Sequence, residues 1–166
     1  IRWHDKFLIW PHWLWFLVPH TTLAYLLLRH RRGFPAGALR MYAVFDLGAL
    51  VYWALPTAPP WYAAQKGRMG PASGRQRALR RMMAEYGAEF WGDAWTPLYS
   101  YFGGNPLAAM PSLHFATSVM AAHLLREAGP GPGLVGWSYA TVLGVALVYL
   151  GEHYVVGLLA GLALTE

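Results

Sequence analysis

Long apolar segments make up about half of this chain, and they restrict its fold more than any single residue does. The first runs from Phe7 to Leu28, 22 residues without Asp, Glu, Lys or Arg, which is long enough to cross a hydrocarbon core of about 30 Å. The second, Leu39 to Leu55, has Arg40 at its start and is interrupted further along only by Asp46, and three more follow at 112–125, 134–150 and 153–164. Since lipid offers the backbone no water, such segments predict transmembrane α-helices.

The composition agrees with a membrane location. Only 13% of the residues are charged, against about 25% in an ordinary soluble domain. The absence of cysteine excludes disulfides, thiolate metal sites and a cysteine nucleophile. In a lipid-embedded chain the net charge of +5 favours anionic headgroups or phosphorylated substrates over nucleic acid. We therefore predict an integral, multi-pass membrane protein within a single domain, 1–166.

Residues 57–111 form a long polar or mixed segment between two groups of apolar segments. Within it, an apolar stripe at helical spacing predicts an amphipathic helix at about 75–91 on the membrane surface, anchored by Trp91 and Trp95. The short basic loop between Arg29 and Arg40 indicates the cytoplasmic side, so we expect 57–111 to be extracytoplasmic. The chain lacks an initial Met and stops within an apolar run, which predicts truncated termini.

The loop from Asn105 to His114 leads directly into an apolar segment. Proline is favoured in a first helical turn, so Pro111 predicts a helix start with Ser112, His114 and unpaired N–H groups at its positive end. Such an end favours an anion. Counting crossings places 151–153 and 56–61 at the same membrane face as this loop.

Three segments resemble the signature regions of the type 2 phosphatidic acid phosphatase superfamily, and most closely its inositol phosphorylceramide synthase-like branch. They are Pro56-Thr57-Ala58-Pro59-Pro60-Trp61, Asn105 to His114, and Tyr149-Leu150-Gly151-Glu152-His153-Tyr154-Val155-Val156. The resemblance covers roughly residues 40 to 166. It implies an all-α, polytopic transmembrane bundle with a six-helix core, of which about five spans are present here, and a metal-independent phosphoryl transfer without cofactors.

The resemblance also implies residue roles. His153 would attack phosphorus to form a phosphohistidine, and His114 would protonate the leaving alcohol. Ser112 would hold phosphate oxygens. A neutral imidazole is a competent nucleophile and a protonated one a suitable acid near neutral pH. The substrate would be a phospholipid or lipid phosphate, and the acceptor water or an alcohol such as inositol.

The chain departs from the family at several positions. Gly157 stands where the family has an aspartate that orients the nucleophilic histidine, and neighbouring Glu152 points about 100° away on a helix. The family's arginine six residues before that histidine is replaced by Leu147, and its first motif is unmatched. Other candidates for phosphate or substrate binding are Lys66, Arg68, Arg75, Tyr62 and Asn105.

Gly157 leaves two functional hypotheses open. One is an enzyme, active or inactivated, which moves a phosphate or phospho-headgroup from a lipid. The other is a catalytically silent lipid-binding or anion-binding protein with the same fold. His12 and His20, inside the first apolar segment, are interpreted as structural hydrogen-bonding residues. A metal site is disfavoured because Glu152 and His153 lack helical ligand spacing.

Overall fold

The computed structural model describes residues 1–68, 81–102 and 105–166. In these ranges the chain is helical, with one short 3-10 helix, Gly92–Ala94, and one isolated parallel bridge between Thr57 and Ala108. The predicted all-α class is confirmed. The helices are α1 (Trp3–Leu14), α2 (Val18–Arg29), α3 (Phe34–Ala54), α4 (Pro60–Gln65), α5 (Met82–Trp91), α6 (Trp95–Phe102), α7 (Leu113–Ala128), α8 (Pro130–Tyr149) and α9 (Val155–Ala163).

Two helices in the described ranges, α3 and α8, are long and apolar enough to cross a membrane by length and composition. Both present large apolar side chains at their outer surfaces; Trp53 on α3 is 87% exposed and Leu134 on α8 is 69% exposed. An apolar outer surface of this kind suits contact with lipid. Asp46 is also exposed on α3.

The first apolar segment forms two helices and not the single helix that its length suggests. The break lies at 15–17, where Phe16 N donates to Trp13 O at 3.3 Å and Leu17 N donates to Leu14 O at 2.9 Å. Pro19 has no N–H with which to continue the α-helical ladder across the break. At the other side of the break α2 begins at Val18.

Helix α1 runs antiparallel to α8 along the bundle. The Tyr149 hydroxyl donates to Asp5 Oδ1 at 2.5 Å, near the start of α1, and the Tyr139 hydroxyl donates to Pro11 O at 2.8 Å, near its end. Helix α2 then packs on α3 and α7.

Helix α7 is the centre of the bundle and packs against α2, α3, α8 and α9. Its contact with α8 is close because α8 carries small residues on the facing side. A Cβ added to Gly136 would lie 2.8 Å from the Ala122 Cα. Helix α9 runs parallel to α7 and is equally close to it, since a Cβ on Gly161 would lie 2.7 Å from Ser112 O.

Helix α5 lies within the range predicted for an amphipathic helix and begins at Met82; residues 75–80 of that prediction lie outside the described ranges. Part of its apolar stripe faces protein, while Phe90 is 48% exposed. Met83 and Tyr86 are buried in a cluster with Ile9 and Leu150. The helix therefore covers α1 and the end of α8, beside the loops that carry the predicted site.

Helix α7 begins two residues later than predicted. Ser112 is the N-cap, and its Oγ accepts a hydrogen bond from Phe115 N at 3.3 Å. Ser112 N donates to Gly157 O at 2.8 Å, and Leu113 N donates to the Tyr52 hydroxyl at 3.2 Å. These N–H groups have protein partners, so the helix start offers an anion fewer donors than the sequence suggested.

Candidate functional site

The three polar segments singled out in the sequence meet at one end of the bundle. Thr57 N donates to Leu107 O at 2.7 Å, and Ala109 N donates back to Thr57 O at 2.9 Å. Trp61 N donates to Gly151 O at 3.2 Å. The predicted convergence is confirmed.

The histidines from the second and third segments are adjacent. His153 Nε2 lies 3.4 Å from His114 Nδ1, and His153 Nδ1 lies 2.9 Å from Ala109 O. A carbonyl oxygen only accepts, so in the neutral ring Nδ1 of His153 carries the proton and Nε2 keeps a lone pair. That lone pair points towards His114.

The turn after α8 places His153. Gly151 has φ 71°, a left-handed conformation that glycine adopts without steric cost. The turn is closed by His153 N, which donates to Leu147 O at 3.1 Å. The side chain is 5% exposed. Burial lowers the pKa of His153, and the hydrogen bond to Ala109 opposes this shift in part.

The His114 ring contacts two other rings. The centroid of Trp15 is 4.1 Å away and that of His12 is 4.7 Å away. Trp15 is itself held by its Nε1–H, which donates to Thr117 Oγ1 at 2.8 Å. This tilted contact holds the imidazole in place, and the indole ring would stabilise a protonated His114 by a cation–π interaction.

A cavity of about 740 Å³ opens onto both histidines. Arg81 lies in its wall, with Cζ 3.5 Å from the centroid of the Trp61 ring. The guanidinium also donates through Nη2 to the Tyr99 hydroxyl. Arg81 Nε is buried and has no hydrogen-bond partner in the described ranges. The cavity thus contains a stacked cation with an unused donor.

Glu152 lies in the same cavity wall. Burial raises the pKa of its carboxyl, while the Arg81 charge and a hydrogen bond from the Trp61 side chain oppose this shift. Glu152 thus interacts with Trp61 through a hydrogen bond and with the charge of Arg81. The Nδ1 partner of His153 is Ala109.

The other candidate residues occupy different places. Tyr62 and Asn105 line the histidine cavity. Lys66 and Arg68 line a neighbouring cavity of about 440 Å³, with Tyr62 in both walls. Ser112 is fully buried at the start of α7. Arg75 lies outside the described ranges.

The sequence interpretation missed three residues of this site. His12 was assigned a structural hydrogen bond, yet its ring contacts His114 and its buried Nδ1 has no partner among the described residues. Arg81 and Trp15 are not among the candidates that the sequence suggested. For His12 and Trp15 the sequence did hold a signal, namely Pro11 and Pro19 on either side of 12–18. Two such prolines predict an interrupted helix, and an interrupted helix in a membrane is tolerated where it is buried in protein or lines a cavity.

Comparisons with known proteins agree with the geometry. The sequence profile of the PAP2 superfamily matches residues 7–165. The chain is 31% identical over 139 residues to the catalytic subunit of inositol phosphorylceramide synthase of Schizosaccharomyces pombe, covering 78% of this chain and 32% of that protein. It is 32% identical over 123 residues to inositol phosphorylceramide synthase of Candida albicans, covering 72% of this chain and 25% of that protein.

The chain thus spans about a third or less of the length of these relatives. No solved structure matches it significantly. The family profile covers nearly the whole chain, including all three converging segments. The chain therefore belongs to the PAP2 superfamily, and its sequence is similar to the inositol phosphorylceramide synthase branch.

Proposed function

We propose that this protein is a membrane-embedded lipid phosphatase or phosphotransferase that works through a phosphohistidine on His153. The observation that carries the proposal is the pair His153 and His114, 3.4 Å apart at the wall of one cavity. Two buried imidazoles beside an arginine fit a phosphoryl group, which needs a nucleophile, a proton donor and a fixed positive charge.

In the first half-reaction the Nε2 lone pair of His153 forms a bond to phosphorus. The bond from phosphorus to the lipid alcohol oxygen breaks, and His114 gives that oxygen a proton. In the second half-reaction water or an alcohol attacks phosphorus and passes its proton to His114. The bond between nitrogen and phosphorus breaks, and its electron pair returns to Nε2.

We assign Arg81 to the phosphate oxygens ahead of Lys66 and Arg68. Arg81 shares a cavity with the histidines, whereas the other two line the neighbouring one. Its stacking on Trp61 holds the guanidinium plane in place, and a pre-oriented guanidinium suits phosphate oxygens better than a mobile ammonium. Ser112 contributes by capping α7 and holding His114 at its start.

The arrangement supports a multi-pass protein with the site at one membrane face. The paired helices α1 and α2, followed by α3, α7, α8 and α9, would supply five crossings of a six-helix core. The basic loop at 29–40 supports an extracytoplasmic site by the positive-inside rule. Helix α5 would act as a shelf for the headgroup beside the cavity.

The names of the relatives suggest the chemistry of the substrates. An inositol phosphorylceramide synthase joins a phosphoinositol group to ceramide, so a phosphodiester lipid donor and a lipid alcohol acceptor are the first pair to test. Hydrolysis would use the same first half-reaction with water as acceptor. An acceptor such as inositol is the third possibility.

The deciding experiment uses the full chain in lipid nanodiscs. Phosphate release from phosphatidic acid is measured beside headgroup transfer from phosphatidylinositol to ceramide or to free inositol. Donor labelled at phosphorus should leave acid-labile label on the protein, and His153→Gln should abolish it. Absence of turnover and of label with every donor would overturn the proposal.

Gly157 favours one further candidate function, a silent lipid-binding or anion-binding protein. That protein would bind phosphatidic acid vesicles without turnover, and binding would persist in the His114→Asn and His153→Gln double variant. An active enzyme would instead lose all turnover in this variant.

A further inference from the structure

The acceptor for His153 Nδ1 in this chain is a main-chain carbonyl. The 2.9 Å contact with Ala109 O joins two buried groups. It occupies the ring nitrogen to which the family resemblance assigns a carboxylate from position 157. The carboxylate expected from the family is absent, but His153 Nδ1 still has a hydrogen-bond acceptor.

Gly157 is what lets the carbonyl come this close. A Cβ at this position would lie 2.8 Å from Ala109 O, a distance that real Cβ atoms avoid because of steric repulsion. Gly157 O also accepts a hydrogen bond from Ser112 N at 2.8 Å. The loop before α7 therefore lies directly on α9, in space that any larger residue would fill.

The Ala109 peptide is held from its other side by the first segment. Ala109 N donates to Thr57 O at 2.9 Å, next to the bridge between Thr57 and Ala108. This hydrogen bond restrains the backbone of Ala109 next to the carbonyl that accepts from His153. This is the pre-organisation expected of a group that orients a reactive side chain.

We propose that the main-chain carbonyl of Ala109, admitted by Gly157 and held by Thr57, positions His153 and fixes its proton on Nδ1. The role in phosphoryl transfer rests on the proposed function, whereas the positioning and the tautomer do not. The carbonyl bears no net charge, so it orients the ring without the charge of a carboxylate. Gly157 is then compatible with a reactive His153. An aspartate at this position would displace the Ala109 carbonyl without restoring the family's arrangement.

The first test needs no substrate, and its only variant serves to assign the His153 signals. Nitrogen-15 NMR of the histidine-labelled full chain in nanodiscs distinguishes the two neutral tautomers, with His153→Gln providing the assignment. We expect the Nδ1–H form for His153. The Nε2–H form would overturn the proposal, whether or not the protein is active.

The second test compares glycine variants. Gly157→Ala should mix the tautomers of His153 and lower turnover by about 10- to 100-fold, the usual range for loss of an orienting partner. Gly157→Asp should lower turnover also. Gly161→Ala crowds the same loop at Ser112 O and should keep the tautomer. Gly131→Ala, with open space around it, should behave as the unmutated protein.

A rise in turnover with Gly157→Asp, or an unchanged tautomer in Gly157→Ala, would overturn the proposal. If the Gly157 variants do not fold, the tautomer of the unmutated chain decides alone. If the unmutated chain shows the Nδ1–H form but no turnover with any donor, the proposed function fails and the positioning inference stands.

Discussion

The rings of Trp15 and His114 have centroids 4.1 Å apart and an interplanar angle of 46°. Trp15 lies in the break between α1 and α2, and His114 lies in the first turn of α7. The break in the first apolar segment thus supplies an indole face to the proposed general acid.

Replacing this indole tests the contact. In Trp15→Leu we expect turnover to fall by about five- to tenfold, because the cation–π support for protonated His114, about 1 kcal/mol, is lost. Phosphate transfer from phosphatidylinositol is the measurement. Trp53→Leu, far more exposed on α3, is the matched control and should leave turnover unchanged. Equal losses in the two variants would contradict a specific role for Trp15.

The role of His114 as proton donor predicts a dependence on the leaving group. His114→Asn should lower turnover of lipid alcohol esters by about 10²- to 10⁴-fold, the usual contribution of a general acid. A p-nitrophenyl phosphate ester, whose leaving group needs no proton, should lose much less. Equal losses for both substrates would assign His114 to binding and not to proton transfer.

Arg81 should be the most sensitive cation of the site. Arg81→Gln removes the charge stacked on Trp61, and we expect kcat to fall by about 10²- to 10³-fold, as for loss of one transition-state donor. Lys66→Gln should have a smaller effect because Lys66 lines the neighbouring cavity. Arg31→Gln, at the opposite end of the bundle, is the control. A larger loss for Lys66 than for Arg81 would reverse the assignment.

The pH dependence follows from the burial of His153. Burial disfavours the imidazolium and lowers the pKa of this residue below its ordinary 6.5, so the ring stays neutral and nucleophilic as the pH falls through 6.5. With a phosphodiester donor, which does not titrate in this range, the acidic limb of kcat/KM should lie below pH 6.5. A limb above that value would contradict a buried, neutral nucleophile.

The contact between α7 and α8 makes a prediction about stability. Gly136→Ala places a Cβ 2.8 Å from the Ala122 Cα, where backbone must move, and overpacking of this kind costs about 1–3 kcal/mol. Thermal unfolding in nanodiscs should show a lower Tm than for the unmutated chain. Gly131→Ala, whose Cβ meets open space, should keep the original Tm.

Several features of this protein follow from the order of its residues alone. The all-α class follows from long apolar runs, which can only form buried or lipid-facing helices. The reason is that the backbone must satisfy its own hydrogen bonds where water is absent. The order of those runs brings 151–153 back to the end of the bundle that holds His114. The two histidines and the family could therefore be recognised without coordinates.

Only the tertiary structure decided how the site is completed. The break between α1 and α2 depends on Pro19. Whether the break contributes to the site depends on which helix Trp15 contacts, and that helix is α7. Likewise Arg81 and Lys66 are similar cations in one polar segment, and only packing puts them in different cavities.

Gly157 shows this division most clearly. From the sequence alone, Gly157 indicates only that the family's aspartate is absent, because a residue type reveals its side-chain chemistry and nothing about its neighbours in the fold. In the fold, the absence of a side chain at Gly157 allows Ala109 O to lie within 2.9 Å of His153 Nδ1. A main-chain carbonyl is present at every residue and leaves no mark in the sequence, so only the close approach of two distant segments could identify it as the partner of the histidine.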